Sequence, residues 1–303
     1  MRISSRLRAL LQAFLVSFLW STSWVLIKRT LHEIPPLTFA GLRYTLAFLL
    51  LLPGLWKRRG EVRSLSAKDW RRLAALGLIF YALTQGGQFL TLSHLDAVTF
   101  SLLLNATSLL VALFGIIVLR EVPSLLQWGG ILLFVTGVLI YFFPLPTAGI
   151  EVLGLALAGF TVCANAAAAV LGRSVNREKL ASPLVVTTVS MGVGAVVLLT
   201  AGLLTQGLPS ISPTGWATVA WLAAVNTALA FTLWNRSLQQ LSAVESSAIN
   251  NTMLVQIALL AWLFLGEVLT LRDVAGLALA AAGILITQIK PSEMPSGSRS
   301  QAR

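Results

Sequence analysis

The sequence predicts an all-α polytopic membrane protein: ten transmembrane helices arranged as two inverted five-helix repeats. Three observations carry this. Only 11% of the 303 residues are charged and 56% are apolar, with a mean hydropathy of +0.83, whereas a soluble domain usually carries about 25% charged residues. Apolar runs of about 20 residues, the length a helix needs to cross the hydrocarbon core, recur along the chain. Lysine and arginine also alternate between successive connections as a definite span count requires.

The spans fall at roughly 7–28, 36–55, 71–92, 97–119, 125–143, 151–171, 183–205, 215–235, 243–265 and 272–290. They take up about two thirds of the chain, which leaves nine loops, two tails and no soluble domain. Arg2, Arg6 and Arg8 before the first apolar run resemble the start of a signal peptide. The run is long for one and no small-x-small cleavage site follows, so WSTSWVLIK reads as a retained helix. The longest loop is 56–70, and the polar, Pro/Ser-rich tail 291–303 is expected to be disordered. The repeats are 1–146 and 147–290.

A polar side chain inside a span costs free energy unless it finds a partner, so such residues mark candidates. Span one offers Trp20, Ser21, Thr22 and Ser23; span two, Arg43; span three, Tyr81, Gln85 and Gln88; span four, Asn105, Thr107 and Ser108. Span six offers Asn165; span eight, Asn226, Thr227 and Trp234; span nine, Asn250, Asn251 and Gln256. Gly129, Gly130 and Gly137 in span five, Ala166–Ala169 in span six and Gly276 through Gly283 in span ten are packing surfaces that let backbones approach closely.

With the N-terminus in the cytoplasm, 18 of the 22 lysines and arginines fall in cytoplasmic segments. Lys28, Arg29 and Arg272 lie outside, and Arg43 lies within span two. One missed helix would scramble that asymmetry. Both termini are therefore expected in the cytoplasm of a multi-pass protein of the cell membrane. The net charge of +11 is topology, plus some attraction to anionic headgroups, and supports no nucleic-acid partner. Cys163 is the only cysteine, and His32 and His94 are far apart in sequence. That excludes an intrachain disulfide and Cys- or His-rich metal sites; no cofactor is expected.

Residues 97–140 overlay 243–286 with a constant shift of 146 and no gaps. Asn105/Asn251, Glu121-Val122/Glu267-Val268, Gly130/Gly276 and Gly137/Gly283 are the informative identities, because composition rarely produces them. Pro36-Leu37 and Pro183-Leu184 recur at a shift of 147. Spans four and five thus map onto nine and ten. With five spans per half, the second half enters the membrane in the opposite sense, an architecture common in secondary transporters.

Phe18-Leu19-Trp20-Ser21-Thr22, Arg43-Tyr44-Thr45-Leu46-Ala47 and the Glu-Val pairs closing spans four and nine resemble the drug/metabolite transporter superfamily, and more narrowly its EamA branch. The resemblance covers nearly the whole chain. It implies transport of small metabolites, often export of amino acids or related compounds. It also implies a central cavity lined by spans one, three, four, six, eight and nine, with five and ten packed behind. One departure stands out: span six lacks the Trp usually paired with that of the first repeat, and Cys163 is nearest its place.

The candidate substrate-binding residues are Trp20, Ser21, Thr22, Tyr81, Gln85, Asn105, Asn165, Asn226, Asn250 and Asn251. Each also has a structural reading. Ser and Thr bond their own helix backbone. Asn and Gln form interhelical hydrogen bonds worth on the order of 1 kcal/mol. Trp near a span end anchors at the interface, the reading for Trp216 and Trp234. Arg43 either snorkels outward or caps helix carbonyls, or it faces a substrate carboxylate. Glu121 and Glu267 close spans on opposite faces of the membrane. Helix C-termini disfavour carboxylates, so each needs a cationic or backbone partner. Their expected role is structural or gating, with proton binding as the alternative.

The expected function is a secondary carrier, an exporter working by alternating access. A lipid flippase and a non-transporting sensor or channel are the alternatives. An enzyme would need a cluster of His, Asp or Cys that the sequence lacks, and no phosphate-cradling Gly-rich loop with Lys is present. No Asp or Glu stands at mid-span, so transport is expected to be facilitative, or coupled through end-of-span carboxylates or water. The expected partners are a small-molecule substrate and membrane lipids, with a homodimer left open.

Overall fold

A computed structural model describes residues 5–111, 124–143, 150–178, 180–238, 240–241 and 243–287. In chain order the main helices are α1 (Ser5–Thr30), α2 (Pro36–Lys57), α3 (Ala67–Leu92), α4 (Ala97–Val111), α5 (Leu125–Phe142), α6 (Ile150–Arg177), α7 (Pro183–Thr205), α8 (213–238), α9 (Ala243–Leu265) and α10 (Leu271–Thr287). Among the described residues, seven of these (α1, α2, α3, α5, α6, α7 and α8) are long and apolar enough to cross a membrane. α4 and the stretch Ile249–Leu265 of α9 are shorter apolar helices. The second half of expected span four, Glu121 included, and the tail lie outside the described residues. Several helices outrun their expected spans at polar ends. The expected loop 56–70 is partly helical, with one turn at Arg59–Arg63 and α3 starting at Ala67.

Helix starts follow local chemistry. Pro36, Pro183 and Pro213 occupy first-turn positions, where a missing N–H costs nothing. Ser66 and Ser124 close capping boxes with Asp69 and Gln127, and Thr270 does the same with Asp273. Such boxes satisfy donors that a helix start leaves free. Ser124 and Thr270 are repeat equivalents, so the repeat preserves its caps as well as its glycines.

Two helix pairs join the repeats. In α5–α10, a Cβ added at Gly283 would lie 2.6 Å from the Gly130 carbonyl oxygen, and one at Gly137 would lie 2.6 Å from that of Gly276. As residue numbers rise on one helix they fall on the other, so the pair is antiparallel. The four glycines straddle the midpoints of both helices. α2–α7 repeats the pattern, with Gly41 against Leu199, Gly202 against Thr38 and Gly192 against the Phe48 ring. Each pair joins a helix to its own repeat equivalent, and only small residues allow backbones this close. Around them, Trp24, Phe39, Tyr44, Tyr81, Phe89 and Phe100 fill the buried core. Val255, Leu259 and Trp262 recur at helical spacing on an exposed apolar stripe of α9, which suits contact with lipid chains.

Candidate functional site

Helix α1 is tied on two sides by its small hydroxyl residues. Toward α9, the Ser21 hydroxyl donates to Gln256 Oε1 at 2.9 Å, and Gln256 Nε2 donates to Ser17 Oγ at 3.2 Å. Toward α8, the Asn226 amide donates to the Leu19 carbonyl, to Thr22 Oγ1 at 3.1 Å and to Ser23 Oγ at 2.9 Å. Ser21 and Thr22 also bond their own helix, at Ser17 O and Leu19 O, as the structural reading of these hydroxyls expects. Asn226 is fully buried, and its Oδ1 has no partner among the described residues.

The candidates on α3 and α8 sit in π-helical segments, Gly77–Gln85 and Ala224–Leu229. Gly77 and Ala224 are repeat equivalents at the shift of 147 seen for Pro36 and Pro183. Such widened turns are rare and concentrate at functional sites. In each, a threonine hydroxyl bonds the carbonyl five residues back: Thr84 to Ile79 at 2.9 Å and Thr227 to Leu222 at 2.8 Å. Sequence reasoning missed both segments, since no residue type signals a π-turn; the small residues at both starts are the nearest hint.

Arg43 meets the second of these turns. Its Nε donates to Thr227 Oγ1 at 3.0 Å, and its guanidinium lies 5.3 Å from the Tyr44 ring and 6.0 Å from the Phe89 ring. The side chain is buried. It therefore does not snorkel outward, and among the described residues it caps no carbonyl; aromatic faces and one hydroxyl surround the charge. Next to it, Tyr44 donates to Gln85 Oε1 at 2.6 Å and packs edge-on against Tyr81, 5.5 Å between centroids. Tyr81 and Gln85 are thus brought to the α2–α3 contact.

Trp20 stacks with Phe231 and Trp234 of α8 at 5.4 and 5.2 Å. Trp234, read from the sequence as an interfacial anchor, is thus also one of a half-buried aromatic group with Trp20 and Phe231. On the other side, Asn165 Nδ2 donates to Thr107 Oγ1 at 3.2 Å, joining α6 to α4. Asn105 folds back on Ser101 O at 2.7 Å, while the Nδ2 of its repeat equivalent Asn251 is buried without a partner among the described residues. Asn250 is exposed. Cys163 lies on the exposed stripe of α6 with Gly159, Ala167 and Val170, away from the Asn165 face. At this position, nearest the place of the family's Trp, the side chain is exposed.

The helix ends are clasped, across the repeats by Glu267, Glu33, Glu61 and Arg29 and within the first repeat by Lys28. Glu267 accepts the N–H groups of Ala97 and Val98 at 2.8 and 3.1 Å, Glu33 accepts from Ser212, and Glu61 accepts from the N–H and hydroxyl of Ser182. Lys28 donates to the carbonyls of Leu92 and Leu95, and Arg29 to that of Phe264. Each pairing puts the charge sign that a helix end favours beside it. Burial pushes the Glu267 carboxyl above its ordinary pKa, outweighing the two N–H bonds. Arg72, bonded to Glu178 at 2.5 Å, holds that exposed carboxyl down at about 2.

Helices of membrane-crossing length, two pairs of repeat-equivalent helices crossing antiparallel, and polar side chains bonded to one another between helices together define a multi-pass membrane protein of the transporter kind. The family model described as "EamA-like transporter family" matches residues 7–143 and 152–289, and the chain belongs to that family. It is 28% identical over 303 residues to the uncharacterized transporter YvbV of Bacillus subtilis, covering 93% of this chain and 92% of that one. It is 27% identical over 293 residues to a probable amino-acid metabolite efflux pump of Salmonella typhimurium, covering 90% and 92%. An uncharacterized transporter of Archaeoglobus fulgidus is 30% identical over 138 residues, 44% of this chain and about half (47%) of that protein. A solved crystal structure shares the fold at a TM-score of 0.66 and 19% identity, covering 92% of this chain and 96% of its own.

Proposed function

We propose that this protein is a secondary exporter of a small metabolite, an amino acid or related compound, working by alternating access at the interface of two inverted five-helix repeats. The observation that carries the reading is the antiparallel pairing of α2 with α7 and α5 with α10 through their midpoints. Equivalent helices that cross this way relate the repeats by a two-fold axis lying across the bundle, so each half can adopt the tilt of the other. The substrate class follows from the Salmonella relative's description and from an interior of amides, hydroxyls and one buried guanidinium.

In this reading ten spans cross the cell membrane with both termini in the cytoplasm. Substrate meets Trp20, Asn165, Asn250 and Asn251 between the clasped ends, while Ser21, Thr22, Asn226, Tyr81 and Gln85 hold the walls. Arg43 positions α8, and Glu267 closes the outer end.

The test is counterflow in proteoliposomes loaded with individual amino acids and related metabolites, with and without a pH gradient. Saturable exchange without strict gradient dependence is expected. Flux that is linear in substrate and shows no counterflow would replace the carrier with a channel. Strict gradient dependence abolished only by a mid-span substitution would end the facilitative reading.

A further inference from the structure

We propose that the fissure between α2, α7 and α8, at the end assigned to the cytoplasm, is a binding site for an anionic phospholipid. It encloses about 250 Å³. Arg58 and Arg236 stand at its mouth and Leu51, Leu184 and Phe231 line its apolar part. The sequence spacing builds it. Ala228, Thr232 and Arg236 are four apart on α8 and share one face, while Leu51 lies on α2 and Arg58 is the residue just past its C-terminus. α7 enters with Pro183 at its first turn.

The charge balance selects an anion. Glu61 is the one described acid nearby. It lies 3.6 Å from Arg58, and its two oxygens already accept the Ser182 N–H and hydroxyl. Arg236 is exposed and forms no ion pair among the described residues. Two guanidiniums thus face one committed carboxylate. The guanidinium fork matches the oxygens of a phosphodiester, and basic pockets between helices at the cytoplasmic side suit such headgroups.

The apolar part selects a lipid over a soluble phosphate. Leu51, Leu184 and Phe231 offer a headgroup nothing but suit an acyl chain continuing into the bilayer. Phe231 also stacks on Trp20 at 5.4 Å, so one ring separates the lipid chain from the aromatic group of the substrate site.

The experiment is native mass spectrometry of the full chain, delipidated and titrated with phosphatidylglycerol, phosphatidylcholine or inorganic phosphate. Phosphatidylglycerol adducts should exceed phosphatidylcholine adducts at least fivefold. Arg58→Ala/Arg236→Ala should remove that preference, and Lys57→Ala/Arg59→Ala, with the same loss of charge beside the fissure, should keep it. Equal retention of the two lipids, equal loss in both double variants, or occupancy by inorganic phosphate that displaces the lipid would each overturn the proposal.

Discussion

Glu267 and Ala97 belong to different repeats, and a carboxylate oxygen of the first accepts the backbone N–H of the second at 2.8 Å. The acid that closes α9 thus caps the start of α4. This resolves the partner that a carboxylate at a helix C-terminus requires: it is backbone, supplied by the other repeat.

Replacing Glu267 with Ala should leave two N–H groups of α4 without acceptors and destabilise the protein by about 0.5–2 kcal/mol, the usual loss for a cap. The pH dependence follows from burial, which raises this carboxyl's pKa. A carboxyl raised in the folded state contributes stability that is fully present below its unfolded pKa. That contribution is lost as pH rises from the ordinary 4.5 through the raised value. Melting temperatures of detergent-purified protein across this range should therefore fall less steeply for Glu267→Gln than for the wild type. An unchanged slope would assign the dependence to another group.

The glycines of α5 give a paired test. A Cβ at Gly137 would sit 2.5 Å from the Ala280 nitrogen and 2.6 Å from the Gly276 oxygen, whereas one at Gly129 meets nothing within 4 Å. Gly137→Ala should cost about 1–3 kcal/mol, since backbone cannot yield as a side chain can. Gly129→Ala should be neutral or stabilise by up to about 1 kcal/mol through helix propensity. Thermal unfolding distinguishes them; equal melting points would mean that α5 and α10 do not touch here.

For Arg43 the useful comparison is between two ways of breaking one hydrogen bond. Thr227→Val leaves a buried cation with an unpaired Nε, which should cost about 1.5–3 kcal/mol. Arg43→Met removes the charge together with its need for a partner and should cost less. In Arg43→Met, adding Thr227→Val should then have little further effect on stability. Additive losses would show that the two side chains are not coupled.

Transport tests the interior. Trp20→Ala should lower counterflow about tenfold or more with unchanged abundance in the membrane, and Asn251→Ala should lower it severalfold. The tenfold figure corresponds to about 1.4 kcal/mol of lost binding. Asn226→Ala should instead reduce abundance, because Asn226 ties α8 to α1 through three acceptors. Normal transport by both Trp20→Ala and Asn251→Ala would move the substrate elsewhere.

Much of the fold is legible in the sequence. Transfer free energy adds up residue by residue along a span, so hydropathy locates membrane helices without knowledge of neighbours. The repeated Pro36 and Pro183 stand at the starts of α2 and α7, whereas α3 begins at Ala67 inside the expected loop 56–70, where Ser66 and Asp69 form a capping box that hydropathy does not register. The glycine repeats point to the close contacts because only small residues permit them.

The candidate site is less legible. The place of Trp234 near a span end gives no sign that its ring packs on Trp20, and nothing in the sequence signals that Cys163 is exposed. Arg43 reads as a residue that snorkels, caps carbonyls or faces a substrate, yet Thr227, 184 positions away, accepts a hydrogen bond from its Nε.

The sequence by itself determined the apolar helices and the repeat, because these rest on local preferences and on the cost of placing each residue in lipid. Only the tertiary structure decided which polar groups are satisfied. Asn105 and Asn251 are the same residue at equivalent positions, yet one amide bonds its own helix and the other is buried with no partner among the described residues. The difference lies in what the neighbouring helices bring alongside, and no pattern within a single helix encodes it.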